Sequence, residues 1–218
     1  MKLHHHLIAD IVAALLDIFA QEQRAERVID RFIKSHPKWG ARDRRLFAES
    51  VYEVVRWWRW YWHLAGLPDA ECVKQSAATI ARLWQVWAMY WFERSSELPA
   101  FDECADLNTE EIQRRRDTAV PFAVRESIPD WLHRRGENEL GADWEPMLAA
   151  MNRPADVFLR ANTLRISARE LKDALAKENI AAEEMPDLPD ALRLVERKKF
   201  SNSRAFRDGL FEVQDAGS

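Results

Sequence analysis

Phe158, Arg160 and Asn162 alternate with Val157, Leu159 and Ala161 along DVFLRANTL, so an aromatic ring, a guanidinium and an amide share one strand face. Sheets use those three groups to stack and hydrogen-bond unpaired bases. The same face could instead pack against another domain, because Phe158 and Leu164 are costly to leave in water. Arg165 lies just past the strand, placed for a phosphate, and Lys198, Lys199, Arg204 and Arg207 could extend a positive edge near a later strand. A second cationic group, Arg42, Arg44 and Arg45, falls at a helix start. Cations there oppose the helix macrodipole, which suggests a partner anion. Arg114, Arg115 and Arg116 suit either phosphate contact or a solvated helix face.

Other reactive residue types point to little chemistry. Cys72 and Cys104 are far apart and neither sits in a CxxC, so both read as reduced, structural thiols. His4, His5 and His6 hint at a metal but read as an exposed, frayed terminus, and no metal site is assigned. A net charge of −4 and a pI near 5.9 argue against a strongly basic, sequence-blind nucleic-acid binder. Any RNA contact must therefore be a local patch. No apolar run reaches the roughly 20 residues that span a bilayer, and no signal-peptide pattern follows Met1 to His6, so no membrane partner and a cytoplasmic location are expected.

At 218 residues and 47% hydrophobic, the chain can build one large or two modest cores. Four amphipathic helices come first. Ile8, Val12, Leu15 and Phe19 line one; Ala25 to Ile33, stopped before Pro37, forms the next. A third runs unbroken from Ala41 to about Leu64, ended by Gly66 and Pro68, and a fourth from about Ala70 to Phe92 with Ile80, Trp84, Trp87 and Trp91 on one face. Short connections make these a compact bundle. Of the ten tryptophans, Trp58, Trp62, Trp84, Trp87 and Trp91 fall on inward stripes. Trp57 and Trp60 sit off them beside Arg56 and Arg59, as a second packing face or a stacking surface.

Ser95 to Leu107 reads as a connector. Asn108 or Thr109 caps the following helix; Pro129 opens another, closed by Gly141, and a last one ends before Pro154. Helical periodicity then gives way to strand. After the strand at 156–164, Ser167 and Glu170 form a capping box, followed by strands at Ile180 to Met185 and Ala191 to Val195 across a PDLPD turn. One helical turn fits Ser201 to Asp208, and Leu210 to Val213 is the last strand. The fold class is mainly α with a small α+β lobe of split βαβ type.

Five segments, ARDRRLFAESVYEVVR (41–56), SIPDWLHRR (127–135), LGADWEPMLAAMNRPA (140–155), FLRANTLRISARELKDAL (158–175) and GLFEVQDAGS (209–218), resemble the amino-terminal half of the Sun-type (NOL/NOP/Sun) RNA cytosine-C5 methyltransferases. Residues 71–126 match poorly, and Glu53 stands where a glycine is usual. The resemblance implies a NusB-like helical bundle over 1–98, linker helices over 99–154 and a ferredoxin-like or RRM-like β-α-β-β-β lobe over 155–218. It further implies a Rossmann-type methyltransferase domain that uses S-adenosylmethionine, with catalytic cysteines after Thr or Pro. Cys72 follows Glu71 and Cys104 follows Glu103, and the six glycines form no dinucleotide-type cluster. No catalytic or cofactor-binding residue is therefore assigned here. The chain reads as the RNA-recognition part of such an enzyme, not catalytic alone, with ribosomal RNA and the methyltransferase domain in cis as partners. The alternative is a stand-alone NusB-like RNA-binding or protein-interaction module.

Overall fold

The computed structural model describes residues 3–72, 74–153, 155–196, 200 and 203–217, with the backbone alone for Gln75. Two compact units divide the chain, Met1–Glu139 and Leu140–Ser218. The first contains α1 (His5–Phe19), α2 (Ala25–Ser35), α3 (Ala41–Arg56), α4 (Trp58–Leu64), α5 (Ile80–Ser95), α6 (Thr109–Asp117), α7 (Phe122–Arg125) and α8 (Asp130–Leu140), which runs to the boundary. α1 is the central helix: Leu7, Ile8, Ile11, Val12, Ala14 and Leu15 are all buried, a stripe wide enough to face α2, α3 and α5 at once. The helix begins within the histidine tract. His5 pairs with Glu103 at 2.8 Å and stacks on Trp84 at 5.2 Å, so it is a packed first turn rather than a frayed end.

Two helix boundaries differ from the sequence pattern. The third helix is broken at Trp57 (φ −105°, ψ 26°), although its apolar spacing continues across the break. Its cause lies 70 residues away: the Ser127 Oγ accepts from the Arg59 backbone N–H at 2.9 Å, Arg56 donates to the Glu126 carbonyl at 3.2 Å and Arg59 to the Ile128 carbonyl at 2.9 Å. The fourth helix starts at Ile80, capped by Thr79, because the preceding stretch makes 3-10 turns at Asp69–Glu71 and Gln75–Ala77. Ile80 is then 58% exposed, beyond the core's edge. Trp62, Trp84 and Trp87 are buried, while Trp57, Trp58, Trp60 and Trp91 are half-buried and pack against the same core. Trp58 and Trp62 donate their indole N–H groups to the carbonyls of Cys72 and Pro68, which lets large polar-tipped rings sit inward.

The second unit holds α9 (Trp144–Met151), β1 (Phe158–Ala161), α10 (Ala168–Lys177), β2 (Ala182–Met185), β3 (Leu188–Leu194), α11 (Arg204–Arg207) and β4 (Phe211–Gln214). The sheet order is β2-β3-β1-β4 with every neighbour antiparallel, the ferredoxin-like order. Leu159 and Ala161 point into a core completed by Leu171 and Leu175 of α10 and Phe211 of β4. The Ser167–Glu170 capping box starts α10, with both reciprocal bonds made. Glu178 receives the backbone N–H groups of Arg204 and Ala205, each at 3.0 Å, starting the single turn of α11. The PDLPD stretch is shorter as a turn than its composition indicates. Only Pro186 and Asp187 separate the strands, a two-residue hairpin loop; Pro189 is tolerated in β3 because β1 pairs only with Ala191, Leu192 and Arg193. Among the described residues, no helix is long and apolar enough to cross a membrane.

Candidate nucleic-acid interface

On the lobe, register decides which side chains share the sheet face opposite the helices. Phe158 stands across from Arg193 and Gln214, and Arg160 across from Ala191 and Glu212. Arg160 is exposed and Phe158 half-buried, at the edge of a cleft of about 240 Å³ that also meets Pro189 and Asp190. The charge here is mixed. Arg193 binds Glu183 at 2.7 Å and Asp156 at 3.6 Å, and Glu212 sits directly opposite Arg160. With Phe158 as the aromatic on β1 and Ala191 and Arg193 facing the same way on β3, this surface offers one stacking ring and balanced charge.

Asn162 and Arg165 hold the lobe together. The Asn162 side-chain amide donates to the Gly209 carbonyl at 3.0 Å, and Arg165 Nη1 to the Asp208 carbonyl at 2.7 Å, tying the β1–α10 loop to the turn before β4. Gly209 has φ +66°, which a residue with a side chain rarely adopts, so this turn depends on it. Arg204 pairs with Asp208 at 3.4 Å. Lys198 and Lys199 lie outside the described residues.

On the bundle, Arg42, Arg44 and Arg45 are all exposed in the first turns of α3, which Gly40 precedes without a side-chain cap. They do not act alike. Arg44 Nη2 donates to the Pro37 carbonyl at 3.2 Å, whereas Arg45 Nε donates to Glu49 at 2.7 Å. Arg42 and Arg45 instead share a cleft with Trp91 and Arg94 of α5, two residues that periodicity assigned to the core or left unremarked. No sequence signal joins them, because α3 and α5 meet only in the folded bundle.

Among the three consecutive arginines, Arg115 is bound to the fold. Its Nε donates to the Leu64 carbonyl at 2.9 Å, capping α4, while Arg116 lies 3.9 Å from Glu93.

A cavity of about 510 Å³ lies where α4 meets the 127–131 stretch. Arg59 is its polar anchor. It is 12% exposed and reaches Asp69 at 2.8 Å and Asp130 at 2.6 Å. Those two hydrogen-bonded carboxylates hold its guanidinium firmly protonated against the cost of burial, and Arg59 in turn holds Asp69 below the usual carboxylate range. Phe19, Trp58, Ile128 and the 59%-exposed Trp131 give apolar walls. Cys72 and Cys104 are buried, and burial pushes both thiols up to about 11, against thiolate chemistry near neutrality. No group of three or more His, Cys, Asp or Glu among the described residues is arranged to hold a metal.

Residues 128–201 match the family model for the RsmF/B-like methyltransferase, ferredoxin-like domain. A probable ribosomal RNA small subunit methyltransferase B from Synechocystis sp. is 26% identical over 235 residues, covering 94% of this chain and 52% of that protein. The ribosomal RNA small subunit methyltransferase B of Serratia proteamaculans is 31% identical over 90 residues, 41% of this chain and 21% of that protein, and that of Yersinia pseudotuberculosis serotype O:1b is 33% identical over the same length. The crystal structure of PH0851 shares the fold with a TM-score of 0.51 at 14% identity, covering 99% of this chain and 54% of the other. The chain thus spans about half the length of the Synechocystis relative. With a helical bundle leading into a β2-β3-β1-β4 lobe, these matches show the chain to be similar to the amino-terminal region of the Sun-type ribosomal RNA methyltransferases, with residues 128–201 similar to their ferredoxin-like domain.

Proposed function

We propose that this chain is the RNA-recognition part of an S-adenosylmethionine-dependent methyltransferase that modifies cytosine C5 in small-subunit ribosomal RNA in the cytoplasm. In this reading the bundle is NusB-like and Arg42 and Arg45 at the start of α3 grip phosphates, whereas Arg44 is turned to the Pro37 carbonyl. The lobe's open face meets a Rossmann-type methyltransferase domain in cis. The observation that carries the reading is the relatives' shared name, ribosomal RNA small subunit methyltransferase, over a match that spans 94% of this chain in one of them.

Charge on the lobe favours domain docking over base stacking. A face carrying Arg160 and Arg193 against Glu183, Glu212 and Asp156 gives little net attraction to phosphates, yet suits a polar protein surface around Phe158. No step of methyl transfer is assigned to these residues. The glycines at Gly40, Gly66, Gly141 and Gly209 stand at helix ends and turns, and none opens a helix after a strand as a dinucleotide-type site requires. S-adenosylmethionine would be held by the methyltransferase domain, where it supplies the methyl group.

Fluorescence anisotropy of the purified chain with labelled small-subunit ribosomal RNA fragments, competed by transfer RNA, tests this. Tighter binding of the ribosomal fragments is expected. Absence of RNA binding at low salt overturns it.

A further inference from the structure

Between the start of α3 and the end of α5, the bundle surface opens into a cleft of about 300 Å³. Arg42, Arg45, Leu46 and Glu49 line it from α3, and Trp91 and Arg94 from α5. Three guanidinium groups and one carboxylate thus line the same cleft. Arg45 Nε lies 2.7 Å from Glu49 Oε1, and Arg94 Nη2 lies 3.9 Å from Oε2, so the two cations share the two oxygens. The Arg42 side chain makes no hydrogen bond or ion pair among the described residues. The result is a local excess of two positive charges on a chain whose net charge is −4.

A solvated helix face interleaves charges by i,i+4 pairing, and Arg45–Glu49 alone would satisfy that account. Arg94 arriving from another helix, and Arg42 with no acid of its own, go beyond it. Like charges converging on one spot repel, and that cost is recovered when an anion occupies the gap. Arg94 also lies over the Tyr90 ring at 5.4 Å, an arrangement that orients the guanidinium through its face and leaves its in-plane donors for an acid or a phosphate. The half-buried Trp91 indole, backed by Trp87 at 6.2 Å, supplies an apolar wall beside the cations. Guanidinium groups next to a supported aromatic wall match a nucleotide, whose phosphate and base require opposite surroundings a few ångströms apart. The volume is at the small end of ligand clefts, enough for one such unit.

We propose that this cleft is a nucleotide subsite for single-stranded RNA. Arg42 and Arg94 take backbone phosphates, the base lies against Trp91, and Glu49 is the internal anion that holds Arg45 and Arg94 in place until an RNA phosphate displaces it. This rests on the RNA-binding reading above and states where on the bundle the strand is held.

Glu49 makes the assignment testable in a direction that a structural role does not share. Binding of fluorescein-labelled decauridylate by the full chain is measured against salt for wild type, Arg42→Gln, Arg94→Gln, Glu49→Gln, Trp91→Phe and Trp91→Ala, with melting curves for each. Arg42→Gln and Arg94→Gln should each weaken binding about 5-fold and flatten the salt slope by about 0.7. Glu49→Gln should tighten binding several-fold. Trp91→Ala should weaken it about 5-fold or more with the slope kept, since stacking is not ionic, and Trp91→Phe should retain most affinity should the alanine variant fold poorly. Arg44→Gln, outside the cleft, should change little. Equal effects from Arg42, Arg44 and Arg94, or no gain from Glu49→Gln, would overturn the subsite while leaving RNA binding intact. Failure of the wild type to bind the oligonucleotide while it binds the ribosomal fragments would overturn the subsite alone, and failure with both RNAs would overturn both readings.

Discussion

The guanidinium of Arg115 lies against Gly66: a Cβ built on that glycine would stand 2.5 Å from Arg115 Nη1, and Gly66 itself has φ +74°. The same arginine donates to the Leu64 carbonyl, so the end of α4 is closed by a glycine in left-handed backbone and a cation over the helix C-terminus. Gly66→Ala should cost about 1–2 kcal/mol from the backbone alone, with a further loss from displacing Arg115. Arg115→Ala combined with Gly66→Ala should lose less than the sum, because the clash is gone. Urea unfolding of the three variants measures this, and strict additivity would contradict the contact.

Arg59 joins Asp69, Asp130 and the Ile128 carbonyl beside the break between α3 and α4. Arg59→Ala leaves those acceptors unpaired, and a loss of about 2–3 kcal/mol is expected. Acid sensitivity follows from Asp69, whose carboxyl is held below its ordinary value chiefly by the Arg59 hydrogen bond. A depressed folded-state value gives stability that is present above the unfolded carboxylate range and lost as pH falls through the folded one, below about pH 4. Asp69→Asn should therefore lose less stability than wild type between pH 6 and pH 3. Equal losses in urea titrations at the two pH values would refute the pairing.

Both thiols are buried and raised to about 11. At pH 8 the folded chain should react with a thiol reagent at least about 100-fold more slowly than the chain in denaturant, with two thiols released on unfolding. Rapid labelling of Cys72 or Cys104 in the folded state would show a reactivity that their burial forbids.

What could be read from the sequence follows the range of the interactions involved. The alternation through β1 put Leu159 and Ala161 on one face and Phe158 and Arg160 on the other, as observed, because a strand's two faces are set by neighbouring residues alone. The Ser167–Glu170 box was equally local. The break at Trp57 was not legible, since Ser127 supplies the competing acceptor from 68 residues away. Arg115, which periodicity placed on a solvated or phosphate-binding face, caps a helix remote in sequence. Arg94 and Trp91 join Arg42 for the same kind of reason: an α3–α5 contact has no signature in either helix by itself.

The account turns on whether the bundle's arginines hold RNA through phosphates. The most direct measurement is the salt dependence of small-subunit ribosomal RNA binding by wild type and by the combined Arg42→Gln, Arg45→Gln, Arg94→Gln variant. The account predicts a slope shallower by about 0.7 for each phosphate contact removed, with weaker binding at low salt. An unchanged slope and affinity would contradict it.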